Sequence, residues 1–151
     1  MASEVFRDRR AAGQELGKRL STYRGRDAIV LALPRGGVPV AFEVAQALQA
    51  PLDVIVVRKL GVPGHEEYAM GALASGGIRL LNDAVVRELG ISAAAIERVV
   101  LAEHTELQRR ERLYRGNRPP PDVRGRTAIL VDDGLATGST MLVAVRVLRA
   151  Q

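Results

Sequence analysis

Two predominantly apolar runs, Ala28 to Leu33 and Leu52 to Val57, the second interrupted by Asp53, bracket a segment with helical spacing, and no other feature restricts the fold as much. Apolar stretches of this length without regular polar alternation suit a strand covered on both faces. The first run stops at Pro34-Arg35-Gly36-Gly37, after which Val40, Val44 and Leu48 recur at helical intervals over Val38 to Leu48. Strand, helix, strand at this spacing predicts a βαβ unit with parallel strands. Both runs fall far short of the roughly 20 apolar residues that a membrane-spanning helix needs, which excludes such a helix. At 151 residues and 47% hydrophobic content, the chain is expected to form one domain over residues 1–151 with a real core.

Ahead of this unit, Val5, Leu16 and Leu20 fall at helical spacing and Ser3 can cap the start, so Glu4 to Thr22 is expected to be helical. That divides the domain into an N-terminal helical segment, 1–27, and a core, 28–151. After Val57 the texture changes to Arg58-Lys59-Leu60-Gly61-Val62-Pro63-Gly64-His65-Glu66-Glu67, a polar stretch that predicts a flexible loop over 58–71. Met70 to Ala74 and Ile78 to Leu81 flank Ser75-Gly76-Gly77 and predict a β-hairpin. Asn82 can cap a short helix to Leu89, and Ser92 a long one to about Arg115, ended by Arg118-Pro119-Pro120-Pro121. A last strand, Thr127 to Val131, precedes a helix that runs to the end.

The net charge of +5 invites a nucleic-acid reading, but the basic residues are not gathered into a tail. Lys18 and Lys59 are the only lysines among 22 basic residues, and the arginines are spread over the whole chain. Aromatic residues make up 3%, too few for the base-stacking platforms of single-strand binders. Anionic small molecules are the better-motivated partners, and neither nucleic acid nor membrane is expected. With no cysteine there is no disulfide framework, thiolate metal site or cysteine nucleophile. No secretory signal is visible, so a cytoplasmic location is expected.

The segment after the last strand carries the chemistry. Asp132-Asp133-Gly134-Leu135-Ala136-Thr137-Gly138-Ser139-Thr140 combines an acidic pair with a glycine-bracketed, hydroxyl-rich loop that opens a helix. Backbone N–H groups at a helix N-terminus bind phosphate, and Thr137, Ser139 and Thr140 can add hydroxyls. The two carboxylates would repel a phosphate at contact distance, so they must address something nearby that prefers negative charge. Vicinal sugar hydroxyls or a hydrated metal fit. The loop is not a nucleoside-triphosphate P-loop, because no lysine follows Gly138 and the glycine spacing differs.

These residues resemble the phosphoribosyl-pyrophosphate loop of type I phosphoribosyltransferases. Pro34-Arg35-Gly36-Gly37 is similar to that family's pyrophosphate loop, Arg58-Lys59 stands where the family has basic pyrophosphate contacts, and 60–71 matches its flexible closing loop. The likeness extends from about Ala28 to Gln151. It implies an α/β, doubly wound, mostly parallel sheet with a hairpin and flexible-loop insertion. It also implies transfer of 5-phosphoribosyl from phosphoribosyl pyrophosphate to a nitrogenous base or similar nucleophile, with pyrophosphate leaving.

Under that resemblance Asp132 and Asp133 are the catalytic acids, and Ala136, Thr137, Gly138, Ser139 and Thr140 bind the 5-phosphate. Arg35, Gly36, Gly37, Arg58 and Lys59 bind pyrophosphate. Mg2+ is held mainly by the substrate, with a water-mediated link to Asp132. A regulatory domain that senses nucleotides or phosphoribosyl pyrophosphate without turnover is the alternative. Alanine at position 136 disfavours a 6-oxopurine acceptor, since the relevant enzymes carry an acid there. The family core continues with two further strands, so the chain is expected to be a fragment or truncated relative. Strand 127–131 would then be an open edge, prone to pairing in a homo-oligomer.

Other polar features have plainer readings. His65-Glu66-Glu67 lacks the second histidine of a zinc motif, since position 69 is alanine, and reads as a solvated loop. Arg58-Lys59 alone could be a solvated strand end. From Glu97 to Arg118, six arginines face four glutamates around an apolar stripe of Ile96, Val100, Leu107 and Tyr114, which reads as a helix packed on one side. His104 within it is read as structural.

Overall fold

The computed structural model describes residues 6–119, 121–134 and 139–151. The chain divides into two compact units, one from Met1–Ile55, Pro121–Met141 and Gln151, the other from Val56–Pro120 and Leu142–Ala150.

The first unit holds helix α1 (Arg9–Arg19), strand β1 (Ala28–Ala32), helix α2 (Gly37–Leu48), strand β2 (Leu52–Val54) and a later strand (Thr127–Val131) that is β6 in chain order. Its sheet is parallel, in the order β2-β1-β6, so β1 is the central strand. All five residues of β1 are buried, as expected of an apolar run without alternation. Val40, Ala41, Val44, Ala45 and Leu48 form the buried stripe of α2. Strand, helix, strand stand as the sequence predicts, and the α/β class with them.

Helix α1 is shorter than expected. Asp8, rather than Ser3, is its N-cap, the carboxylate accepting from the Ala11 N–H at 2.8 Å. At the far end the chain tightens into a 3-10 turn at Ser21–Tyr23. Two glycines on one face bring α1 close against α2. A Cβ at Gly13 would meet Glu43 Cβ and the Val40 carbonyl at 2.7 Å, and one at Gly17 would meet Ala47 Cβ at 2.6 Å. The glycines cost α1 up to about 1 kcal/mol each in helix propensity, and the close packing offsets that cost.

The run Leu52 to Val57 is not one strand. Residues Leu52–Val54 pair with β1, and the Ile55 N–H still reaches the Ala32 carbonyl at 3.0 Å. The Val56 N–H instead donates to Ser75 Oγ at 2.9 Å, and Val57 opens another strand. Hydrophobicity marks the whole run as buried, but the hydrogen-bond partner changes within it.

The second unit is built on an antiparallel sheet, β3 (Val57–Val62), β4 (His65–Ala74) and β5 (Ile78–Leu81), in that order. Most of 58–71, expected as a loop, is therefore strand. Pro63-Gly64 is the turn of a hairpin, with Gly64 at φ +80°, and register shifts next to Gly61 absorb the irregular pairing. The hairpin at Ser75-Gly76-Gly77 joins β4 to β5 as predicted. Helix α3 (Asp83–Glu88) is capped by Asn82, and α4 (Ala93–Arg115) by Ser92, both as expected. Val56, Leu60, Val62, Met70 and Leu73 pack with Ile96 and Leu107 in this unit's core, and Val100 packs against them. Helix α5 (Ser139–Arg149) closes the described chain, with Ala144 and Val147 fully buried.

Candidate active site at the ends of the parallel strands

Because β1, β2 and β6 run parallel, their carboxyl ends share one edge of the sheet, where open α/β sheets bind ligands. Two of the predicted segments leave from that edge. Pro34 to Gly37 follows β1, and Asp132-Asp133 follows β6. The Leu33 N–H donates to the Val131 carbonyl at 2.9 Å, which ties the two exits together. Arg35 is exposed, its peptide bond with Pro34 is cis, and Gly37 is buried at the start of α2, its N–H donating to the Leu33 carbonyl at 3.1 Å.

The acidic pair is asymmetric. Arg9 donates to Asp133 Oδ2 from Nη2 at 2.8 Å and from Nε at 3.3 Å. This hydrogen bonding holds the Asp133 carboxyl below its ordinary range. The same carboxylate lies against Gly36, where any Cβ would fall onto it. Asp132 differs. Burial pushes its carboxyl up, the neighbouring Asp133 adds to that push, and the Asp133 N–H, donating to Asp132 Oδ1 at 2.8 Å, acts against it. Adjacent residues thus supply one fixed anion and one carboxyl that takes a proton more readily.

An apolar cleft of about 300 Å3 leads to this pair, lined by Ala12 and Leu16 of α1, Val40 of α2, and Ile129 and Val131 of β6. Among the described residues β6 pairs with β1 alone, and four of its five residues are only partly buried.

Of the predicted phosphate loop, Ala136, Thr137 and Gly138 lie outside the described residues. Ser139 and Thr140 are the first residues of α5, and Thr140 is exposed. Arg58 and Lys59 belong to the second unit. They lie within β3 rather than in a loop, and Arg58 Nε donates to Glu103 Oε2 of α4 at 2.7 Å. Arg9 escaped the sequence reading altogether. Its signal was the cluster Arg7-Asp8-Arg9-Arg10, an N-cap set among cations.

Known proteins define the class. The phosphoribosyl transferase domain family matches residues 7–151. Two Mycobacterium tuberculosis proteins, from strains CDC 1551 / Oshkosh and ATCC 25618 / H37Rv, carry the provisional name phosphoribosyl transferase. Each is 52% identical over 147 residues, covering 97% of this chain and 33% of the relative. The crystal structure of TT1426 from Thermus thermophilus superposes with a TM-score of 0.85 at 41% identity, covering 97% of this chain and 70% of that one. This α/β chain with acids at its strand ends belongs to the phosphoribosyl transferase domain family. It spans about a third of the length of the M. tuberculosis relatives. No helix among the described residues is long and apolar enough to cross a membrane.

Proposed function

We propose that the chain binds phosphoribosyl pyrophosphate and transfers its 5-phosphoribosyl group to a nitrogen nucleophile. The bond from ribose C1 to the pyrophosphate oxygen breaks, a C1–N bond forms, the nucleophile loses a proton and pyrophosphate leaves with the electron pair. The observation that carries this reading is the convergence of the acidic pair with the exposed Arg35 segment at one sheet edge, a few residues ahead of α5 in the chain.

Each group has a physical part in this scheme. The helix-opening loop 134–140 would hold the 5-phosphate through backbone N–H groups and the hydroxyls of Thr137, Ser139 and Thr140. As pyrophosphate departs, the sugar becomes cationic, and the carboxylates of Asp132 and Asp133 would stabilise it through the ribose hydroxyls. Arg35 and the 36–37 backbone would receive charge building on the leaving group. Arg58 is already engaged by Glu103, so charge on the leaving group falls first to Arg35.

The family commonly uses Mg2+, and no three His, Cys, Asp or Glu side chains among the described residues cluster as a metal site. Two carboxylates, one of them engaged by Arg9, suit a hydrated ion carried in by the substrate, with Asp132 reaching it through water. When bound, that ion would supply charge neutralisation at the pyrophosphate.

Calorimetric titration with magnesium phosphoribosyl pyrophosphate tests the reading. Binding is expected, weakened by Thr137→Ala and by Ser139→Ala, and pyrophosphate release in the presence of a panel of nitrogenous bases is expected to fall with Asp132→Asn more than affinity does. Binding insensitive to both loop variants overturns the phosphate assignment. Binding with no turnover on any base points instead to a sensing domain.

A further inference from the structure

An acidic pair inside a site for anions poses an electrostatic problem, and α1 holds the group that answers it. Three arginines crowd the start of this helix, and they point to different partners. Arg7 lies 3.7 Å from Asp8, and Arg10 lies 3.5 Å from Glu43 of α2. Arg9 alone of the three reaches the acidic pair, on a residue 124 positions away in sequence. Its placement is built into the fold, because Gly13 and Gly17 seat α1 against α2 and Asp8 fixes the first turn. Both of its contacts fall on Asp133 Oδ2, while Gly36 backs the same carboxylate. Arg9 and Gly36 of the 34–37 loop therefore meet the acidic pair at the same carboxylate of Asp133.

Two uncompensated carboxylates beside a pyrophosphate would oppose its binding. With Arg9 in place the pair carries one net negative charge instead of two. We infer that Arg9 is a positioning residue that acts through Asp133, neutralising it so that the acidic pair tolerates an anionic ligand and the site favours charged over uncharged ribosyl compounds. The inference rests on the reading of 34–37 and 134–140 as anion sites. The pair is substantially solvated, the Arg9 side chain being 58% exposed and that of Asp133 33%, so its effect is moderate.

The test is a charge-rescue titration on the whole chain, with magnesium phosphoribosyl pyrophosphate, inorganic pyrophosphate and free ribose as probes. Arg9→Ala is expected to weaken both anions about five- to tenfold and to leave ribose unchanged. Arg9→Lys is expected to recover most of the loss, and Arg10→Ala to cause none. The decisive variant is Arg9→Ala with Asp133→Asn, which removes the uncompensated charge and is expected to restore anion affinity. Anion binding that is unchanged or tighter in Arg9→Ala overturns the inference, as does an equal loss for ribose. Failure of the double variant to rescue also overturns it, because Arg9 would then touch the ligand directly or simply shape the site. If the wild-type chain takes up neither anion, the proposed function fails and this inference with it. If the wild type binds but Arg9→Ala matches it, only the inference fails.

Discussion

Among the described residues the parallel and antiparallel sheets have three strands each, yet they treat charge in opposite ways. Every residue of β1 is buried, so nothing polar can sit along it. Along β1 and β6 charge is confined to the strand ends, where Arg35, Asp132 and Asp133 emerge at one edge, and the half-buried Asp53 sits in the short outer strand β2. In the antiparallel unit, β4 is exposed over its first five residues and largely buried over its last five. Its neighbour β3 carries Arg58 and Lys59 within its length, and Arg58 and Arg79 pair with Glu103 and Glu97 of α4. The same residue types therefore mean different things. Charge at the end of a doubly covered strand is concentrated into a site, whereas charge along a half-covered strand is spread through surface ion pairs worth at most about 1 kcal/mol each.

The largest expected effect tests how tightly the two sheets are packed. Leu31 and Leu60 are both fully buried. Leu31 lies in the central strand with partners on both sides, which limits collapse around a deletion, whereas Leu60 adjoins a register shift that lets the sheet relax. Leu31→Ala is expected to cost about 4–5 kcal/mol and Leu60→Ala about 2–3 kcal/mol in urea denaturation. Equal costs, or the reverse order, would show that the irregular hairpin is packed as rigidly as the parallel core.

Next in size come the two aspartates, which are expected to move stability in opposite directions, each within about 1 kcal/mol. Asp133 has a lowered pKa, so its charge stabilises the fold above the ordinary carboxylate value, and that contribution is lost as pH falls through the folded value. Asp132 has a raised pKa, so its charge opposes folding near neutrality, and the penalty disappears as pH falls below the unfolded value. Thermal melts of Asp132→Asn should therefore lie above wild type at about pH 7, with the gap narrowing at about pH 4 and closing about one pH unit below the unfolded value. Asp133→Asn should lie below wild type at both and converge only in stronger acid. Shifts of the same sign would mean that the two carboxylates share one environment.

How much of this was legible depends on the range of the interaction involved. Strand Thr127–Val131 and the caps Asn82 and Ser92 were readable because apolar runs and caps are local signals. Leu52 to Val57 read as one strand because burial does not name the partner, and only the Ser75 contact reveals the change of sheet. Dense glycine and proline made 58–71 read as a loop, although the Pro63-Gly64 dipeptide equally marks a hairpin turn. The acidic pair was visible as a motif. Its asymmetry was not, since Arg9, 124 residues away, and burial set it.

The smallest effect concerns a carboxylate that the sequence places on a charged helix face, and it probes the other side of the comparison. Glu106 of α4 accepts from Arg109 Nη2 at 2.7 Å and from Arg110 Nε at 3.1 Å. Those hydrogen bonds, Arg109 first, lower its pKa from 4.5 to about 2. A lowered carboxylate pKa stabilises the fold above the unfolded value, so the contribution of Glu106 is intact above pH 4.5 and is lost as pH falls toward 2. Because the site is solvated and both partners are long, flexible arginines, water and side-chain entropy absorb most of the gain. Glu106→Gln should therefore lower the melting temperature less than Asp133→Asn does near neutral pH, and the difference from wild type should shrink with added salt. A Glu106→Gln effect larger than either aspartate effect, and insensitive to salt, would break the division between concentrated charge at the strand ends and dispersed charge in the antiparallel unit.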